Sequence, residues 1–447
     1  MANVKKYPAA INKLQEGIKK MDFEAVAPLA ANEEGEIFEL EGYAAVGASG
    51  NYLTPLDGEK LVVQPHGSET LFLPDRTLVA LDLDSMELVA LEENPYNPGE
   101  PIFPVATFNS PGYIATASCA FIEEPGAQTL PLFSYGACGW DGEDMVVAAL
   151  RVDRSRRQDL RLMPREKVES GVKRFQKKYP QNRLARHLEH CALVYGCPAA
   201  KNMFIGREEA PLPTAQTCNA RCLGCLSLQK DSPIPHSQDR INFTPTSQEI
   251  AQVALEHLSR VKNGVVSFGQ GCEGEPLLAT KVIAPAIAMI REQTSDGTIN
   301  LNSNGSRPDL LQQCLDSGLD SIRVSMNSVR PECYEAYFRP SYDFKDVLKS
   351  IDMAGFRGKW VSINYLNMPG FTDSPEESEA FLKFLKDHPV NMIQWRNMNF
   401  NPRQYYDAMS QAGECGVPIG VDVMLDQISR QRPNVRFGYF NPPKESF

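Results

Sequence analysis

Cys218-Asn219-Ala220-Arg221-Cys222-Leu223-Gly224-Cys225 stands near the middle of the chain, and its C-x3-C-x2-C spacing decides how the residues on either side are read. Three thiols this close in sequence can converge on one centre. A loop that supplies three ligands and no adjacent fourth suits a [4Fe-4S] cluster with one iron left open. A structural zinc site instead closes its tetrahedron with a fourth Cys or His, commonly in a second C-x2-C or an H-x3-5-H. Downstream the nearest donors are His236, His257 and Cys272, none in such a pair. On spacing alone, zinc and plain buried thiols remain the alternatives.

Around this loop the chain has a regular rhythm. From Thr214 a short β-rich run followed by a helical stretch repeats six times. The expected strands are 214–217, 265–268, 299–302, 322–325, 361–364 and 392–395. Helices are expected after Thr246-Ser247-Gln248-Glu249, which has capping-box spacing, and over 277–294, 308–316 and 377–386. Strands alternating with helices at this spacing imply right-handed crossovers and a parallel sheet. In parallel α/β barrels functional groups gather at the C-terminal edge of the strands, where the cysteine loop would then lie.

Before the barrel the pattern differs. An amphipathic helix is expected over 8–21, from Ile11, Leu14, Ile18 and Met21. Short apolar runs separated by turn signals then read as strands up to about Val152. Two helices follow, over 165–178 and 182–194, and Pro211-Leu212-Pro213 reads as a linker. The expected organisation is a β-rich α+β N-terminal accessory or substrate-recognition domain over 1–205, a barrel over 206–402, and a C-terminal helical segment over 403–447 that closes it.

The 447 residues are 42% hydrophobic and 23% charged, an ordinary globular composition. No apolar stretch approaches the ~20 residues that span a bilayer, and the N-terminus has no secretory h-region. Eleven cysteines, an odd number, argue for thiols and metal ligands over a disulfide framework. The expected location is the cytoplasm. The net charge of −11 is uneven, because residues 151–186 hold 13 Lys/Arg against 4 Asp/Glu. That stretch reads either as a solvated pair of basic helices or as a docking surface for an acidic ligand.

Together these residues resemble the radical S-adenosylmethionine (SAM) superfamily. Its signature is a C-x3-C-x2-C loop after the first strand of a partial (βα)6 TIM-type barrel, followed by a Gly-Glu-Pro element after the second strand. Here the second element is Gly274-Glu275-Pro276, within Gly271-Cys272-Glu273-Gly274-Glu275-Pro276. The resemblance covers residues 214–402 and leaves the subfamily open. It implies that Cys218, Cys222 and Cys225 hold a [4Fe-4S] cluster whose open iron is chelated by SAM, that reductive cleavage yields a 5′-deoxyadenosyl radical, and that Gly274, Glu275 and Pro276 line the SAM amino group. By the same resemblance Asn302 or Asn304, after the third strand, approaches the ribose or carboxylate. Ser325 and Asn327, after the fourth, and Asn364, after the fifth, are further SAM contacts.

Two departures are evident. Gly224 replaces the aromatic residue that usually precedes the third cysteine, and residues 401–447 hold one cysteine, so the cysteine-rich C-terminal extension of many peptide-modifying members is missing. Cys119, Cys138, Cys191 and Cys197 are a candidate second Fe-S or zinc site, with inert thiols the alternative. Cys272, beside the expected SAM site, is a candidate hydrogen-atom donor, with packing the alternative. The resemblance implies a low-potential flavodoxin or ferredoxin as electron donor. The substrate is read first as a peptide or protein, second as a small metabolite or RNA. A non-catalytic Fe-S or zinc module is the remaining reading.

Overall fold

The computed structural model describes residues 4–6, 22–229, 234 and 236–447, so the helix expected over 8–21 lies outside the described residues. Its organising element is one parallel sheet. We number its strands β1 (Glu209–Pro211), β2 (Val265–Phe268), β3 (Thr298–Ser303), β4 (Ser321–Met326), β5 (Trp360–Asn367), β6 (Met392–Asn397) and β7 (Arg436–Gly438). Neighbours in the sheet follow chain order from β1 to β7. Every pair is parallel, so each crossover carries helix or loop to the outer face.

Alternation along the strands divides two environments. Val266, Phe268, Ile299, Leu301, Ile322, Val324, Ile363, Tyr365, Ile393 and Trp395 lie in one apolar core shared with the helices. The alternate residues face one another instead. Asn300 donates to Ser267 and Asn302, Ser321 donates to Asn300, and Arg323 donates to Gln394 at 3.0 Å. Parallel strands covered on both faces usually read as continuous apolar runs. These alternate because the barrel interior is polar.

Two expectations about the strands need correction. The first strand is Glu209–Pro211, not 214–217. Pro211 and Pro213 suggested a linker, but β1 is an edge strand with one neighbour, a position where a residue without an N–H is tolerated. The segment after 402 is also more than helical: helices Pro402–Ala412 and Val421–Gln431 lead into β7, a seventh parallel strand beyond the six expected.

The tail beyond β7 enters the barrel interior. Asn441, 2% exposed, donates to Glu209, Ser267 and Asn302 and accepts from Gln394. One side chain thus joins β1, β2, β3 and β6.

The β-rich region packs onto this barrel. Antiparallel strands Tyr43–Ser49, Arg76–Asp82 and Glu87–Leu91 centre one sheet, and Ala27–Ala31, Phe103–Phe108 and Cys138–Trp140 another. A two-stranded ribbon, Tyr113–Ala115 with Ala149–Arg151, meets the C-terminal ends of β5 and β6. There Asn367 donates to the Ala115 carbonyl, Asn397 accepts from the Ala115 amide at 2.8 Å, and Asn397 donates to the Tyr113 carbonyl. Helices Arg165–Lys178 and Arg183–Leu193 form where expected, and their apolar faces join the barrel's own core through Val172, Phe175, Leu184 and Leu188. No helix among the described residues is long and apolar enough to cross a membrane.

Replacing Asn441 with Ala leaves the buried Gln394 Nε2 without its acceptor and removes one bond each from Glu209, Ser267 and Asn302, at on the order of 1–3 kcal/mol for the group left unsatisfied. The expected outcome is a lower midpoint of thermal unfolding followed by far-UV circular dichroism. An unchanged midpoint contradicts the bridging role.

Candidate active site

The loops that follow β1 and β2 are tied together by one carboxylate. Glu273, 4% exposed, accepts at Oε2 from the Thr214 and Ala215 amides and the Thr214 hydroxyl, and at Oε1 from the Gly269 and Gln270 amides. Backbone bonds extend the seam: Gly274 N–H donates to the Ala215 carbonyl at 2.7 Å and Glu275 N–H to the Thr217 carbonyl at 2.8 Å. Gly274 is required by this approach, because a Cβ there would lie 2.0 Å from the Thr217 oxygen. The seam ends next to Cys218.

The cysteine loop is held from its other side by later parts of the barrel. Arg221 and Leu223 amides donate to the Phe338 and Tyr337 carbonyls at the end of helix Pro331–Phe338. Asn219 donates to the Ser306 hydroxyl and accepts from the Asn304 side chain, both at 2.8 Å. Burial pushes the Cys218 thiol up to about 11, with Glu275 the next cause, and burial and then Cys225 push Cys222 well above its ordinary value. Among the described residues the three sulfurs do not form a group within 4.8 Å of one another.

A cavity of about 820 Å³ opens beside this loop. Its wall includes Gly224 of the cysteine loop, Gly271 of the second loop, Asn364 of β5 and Tyr337. Two features show room and chemistry for a bound cofactor. The Asn364 amide nitrogen donates to Ser325 at 3.4 Å, while its buried Oδ1 has no partner among the described residues and can accept from a ligand. Gly224 leaves a cradle that a side chain would fill, since a Cβ there would sit 3.2 Å from the Asn399 carbonyl and 3.4 Å from the Tyr337 hydroxyl. Tyr337 thus supplies, from a different element, an aromatic ring next to the position where the sequence has glycine. Sequence reading missed it because the contact is made through the fold and not along the chain.

The remaining expected SAM contacts separate into two groups. Ser325, Asn364 and Gly274 lie at the strand ends and the seam just described. Glu275, 3% exposed, is already committed: its carboxylate accepts from Leu277 N–H, the Ser303 hydroxyl and Asn304 N–H, and burial raises its pKa to about 7. Pro276 opens the short helix that follows. Asn304 reaches Asn219 instead of open space, and Asn302 belongs to the interior network, donating to the Gly269 carbonyl. Asn327 is fully buried and its amide donates to the Cys333 carbonyl and the Tyr405 hydroxyl. In this structure Glu275, Asn302, Asn304 and Asn327 hold loops or pack helices through these bonds.

The other cysteines require corrections. Cys119 and Cys138 both donate to the Val105 carbonyl at 3.4 Å, within the N-terminal sheets, whereas Cys191 lies on the helix packed against the barrel, 3.6 Å from His187 Nε2. The four thiols Cys119, Cys138, Cys191 and Cys197 therefore do not converge on one metal. Cys272 is buried with its sulfur grouped with His187 and Cys191; the cavity wall at this loop is Gly271. The Cys272 sulfur thus lies among packed side chains, the alternative weighed for it, and not in the cavity lining. All eleven cysteines are free thiols.

Residues 212–385 match the family model described as the Radical SAM superfamily. A GTP 3′,8-cyclase of Heliobacterium modesticaldum is 26% identical over 177 residues, covering 39% of this chain and 50% of that protein. The FeMo cofactor biosynthesis protein NifB of Klebsiella pneumoniae is 25% identical over 178 residues, covering 36% and 38%. Among solved structures, Streptococcus suis SuiB bound to precursor peptide SuiA aligns with a TM-score of 0.38 at 12% identity, over 60% of this chain and 62% of that one. The chain spans half or less of the length of these two curated relatives.

Two substitutions test the site. Gly274→Ala forces the seam apart, so iron per chain after anaerobic reconstitution should fall well below the wild-type value; retention of full iron content contradicts the account. Tyr337→Ala should weaken SAM binding, read by equilibrium dialysis, about tenfold, the ~1.4 kcal/mol expected when a buried aromatic contact is lost. Equal affinity would remove Tyr337 from the site.

Proposed function

We propose, on the premise that residues 212–385 form a radical SAM domain, that this chain is an enzyme acting on an anionic substrate held in the arginine-lined part of the cavity. Cys218, Cys222 and Cys225 would hold the [4Fe-4S] cluster, with SAM beside Gly224, Tyr337, Ser325 and Asn364. When bound, these groups supply hydrogen abstraction through reductive cleavage of SAM. The chain's residues position them, exclude water and choose the substrate.

The observation that carries the substrate class is the pair Arg323 and Arg396. Both side chains come from barrel strands and line the same cavity as Gly224. Arg323 makes one side-chain bond to Gln394, and its buried Nε has no partner among the described residues. Burial and then the neighbouring Arg396 lower its pKa to about 9, so it stays charged at neutral pH. Two half-buried cations placed together are costly unless an anion pairs with them, and guanidinium forks suit phosphate and carboxylate. The same cavity is lined by Arg151, Arg156 and Arg161 and by two acids, Glu69 and Asp159, of which Asp159 is bound by Arg156 and Arg161. The basic stretch over 151–186 thus divides, since its first part borders the cavity while Lys178 and Arg183 pair with Glu256 and Glu249.

A phosphorylated small molecule and a peptide or protein with an acidic side chain share this chemistry. The cyclase relative acts, by its name, on a nucleoside triphosphate. A peptide would also meet Phe108 and Tyr113, which the N-terminal region contributes to the wall. A low-potential flavodoxin or ferredoxin would be the electron donor, and eleven free thiols agree with a cytoplasmic setting.

The test is 5′-deoxyadenosine release by anaerobically reconstituted protein with SAM and dithionite, in the presence of GTP, of an acidic peptide, or of a neutral peptide. An anionic compound should raise release at least tenfold, with stimulation that falls as salt rises and is lost in Arg323→Gln/Arg396→Gln protein of normal iron content. Stimulation by the neutral peptide alone, or stimulation that survives the double substitution, would contradict the proposal.

A further inference from the structure

A second group of metal-ligating atoms lies outside the site described above. His187 and Cys191 occupy helix Arg183–Leu193 at positions four apart, so both project from one face. Cys272 comes from the loop after β2. The imidazole nitrogen and the two sulfurs all lie within 4.8 Å of one another. Cys191 and Cys272 are 1% and 5% exposed, and His187 is half-buried.

We propose that His187, Cys191 and Cys272 form a binding site for one thiophilic divalent cation of the zinc class, with the fourth position left to an exogenous ligand. The spacing argues for it. Zn–S bonds of about 2.3 Å and Zn–N bonds of about 2.0–2.1 Å at tetrahedral angles set sulfur and nitrogen about 3.6 Å apart; Cys191 Sγ and His187 Nε2 are 3.6 Å apart. One imidazole and two thiolates are a donor set that zinc takes at sites with an open position. The ligands are also fixed before any ion arrives. Phe243 meets the His187 ring edge-on, with centroids 6.3 Å apart. The Cys272 carbonyl accepts from Ile241 N–H at 2.8 Å, and the next residue, Glu273, anchors the loop through five hydrogen bonds.

The consequence is a link between two parts of the molecule. An ion here would clamp helix Arg183–Leu193 to the loop that carries Gly274 and Glu275, outside the cavity and separate from the three cysteines of the cluster loop. The ligand set also differs from the four-cysteine grouping suggested by the sequence.

The test uses the full chain with Cys218, Cys222 and Cys225 all replaced by Ala, so that no iron cluster competes, titrated with Co2+ under anaerobic conditions. One equivalent per chain should produce thiolate-to-cobalt charge-transfer absorption and intense tetrahedral ligand-field bands, both displaced by Zn2+. Adding Cys191→Ser and Cys272→Ser should abolish the charge-transfer band, and His187→Gln, a change at a half-exposed position, should weaken cobalt binding at least tenfold. Should the triple variant not fold, zinc per chain is read by elemental analysis in the iron-reconstituted wild type and in Cys191→Ser/Cys272→Ser protein of equal iron content. One equivalent present in the first and lost in the second supports the site. Absence of the charge-transfer band in folded triple variant, equal metal uptake after both serine substitutions, or a Cys191–Cys272 disulfide in metal-free protein overturns it. None of these readouts depends on SAM cleavage.

Discussion

The Glu273 carboxylate is the constraint on which the rest of the site depends. It lies buried between the exits of β1 and β2 and accepts five hydrogen bonds, four of them from backbone amides on the two sides. A buried charge is tolerated only when its lone pairs are used in this way. The geometry that satisfies Glu273 also brings Gly274 against Thr217, and Thr217 immediately precedes the first cysteine. A loop with three ligands has little apolar surface to fold around; here its position is inherited from a carboxylate and a glycine in the following loop, and from Asn219, Asn304 and the helix end at Tyr337 and Phe338.

The second constraint is the polarity of the barrel interior. Strand residues alternate between an apolar layer under the helices and an inner set of Ser, Asn, Gln and Arg side chains. Asn441, arriving from the C-terminal tail, completes hydrogen bonds across four strands. The inner set leaves Arg323 only partly paired, close to Arg396, in the cavity that also reaches Gly224. The N-terminal ribbon is fixed over the ends of β5 and β6 by Asn367 and Asn397 and brings Arg151 to the lining of that cavity. The cysteine-loop end and the arginine-lined end therefore share one enclosure, built from the barrel and from the region before it.

Much of this was legible in the sequence because its cause is local. The period of strand and helix gave β2 to β6, the capping box Thr246 to Glu249 forms as read, and the thiol spacing marked a loop that borders the cavity. What escaped depended on contacts distant in sequence. Pro211 concealed β1 because its edge position is a property of the sheet. Arg323 and Arg396 look like ordinary strand residues until the register turns them inward. Tyr337 meets Gly224 only after helix Pro331–Phe338 docks, and Cys272 acquires His187 and Cys191 as neighbours only when an earlier helix packs against the second loop. Asn304, Asn327 and Glu275 were recognised as important polar positions, but the fold uses their side chains to hold loops and helices.

The most direct measurement of the central claim is 5′-deoxyadenosine formation from SAM by the reconstituted, dithionite-reduced protein, beside the variant in which Cys218, Cys222 and Cys225 are all Ala. The account predicts release by the wild type and none by the variant. Release by both, or a wild type that binds fewer than three irons and neither binds nor cleaves SAM, would contradict it.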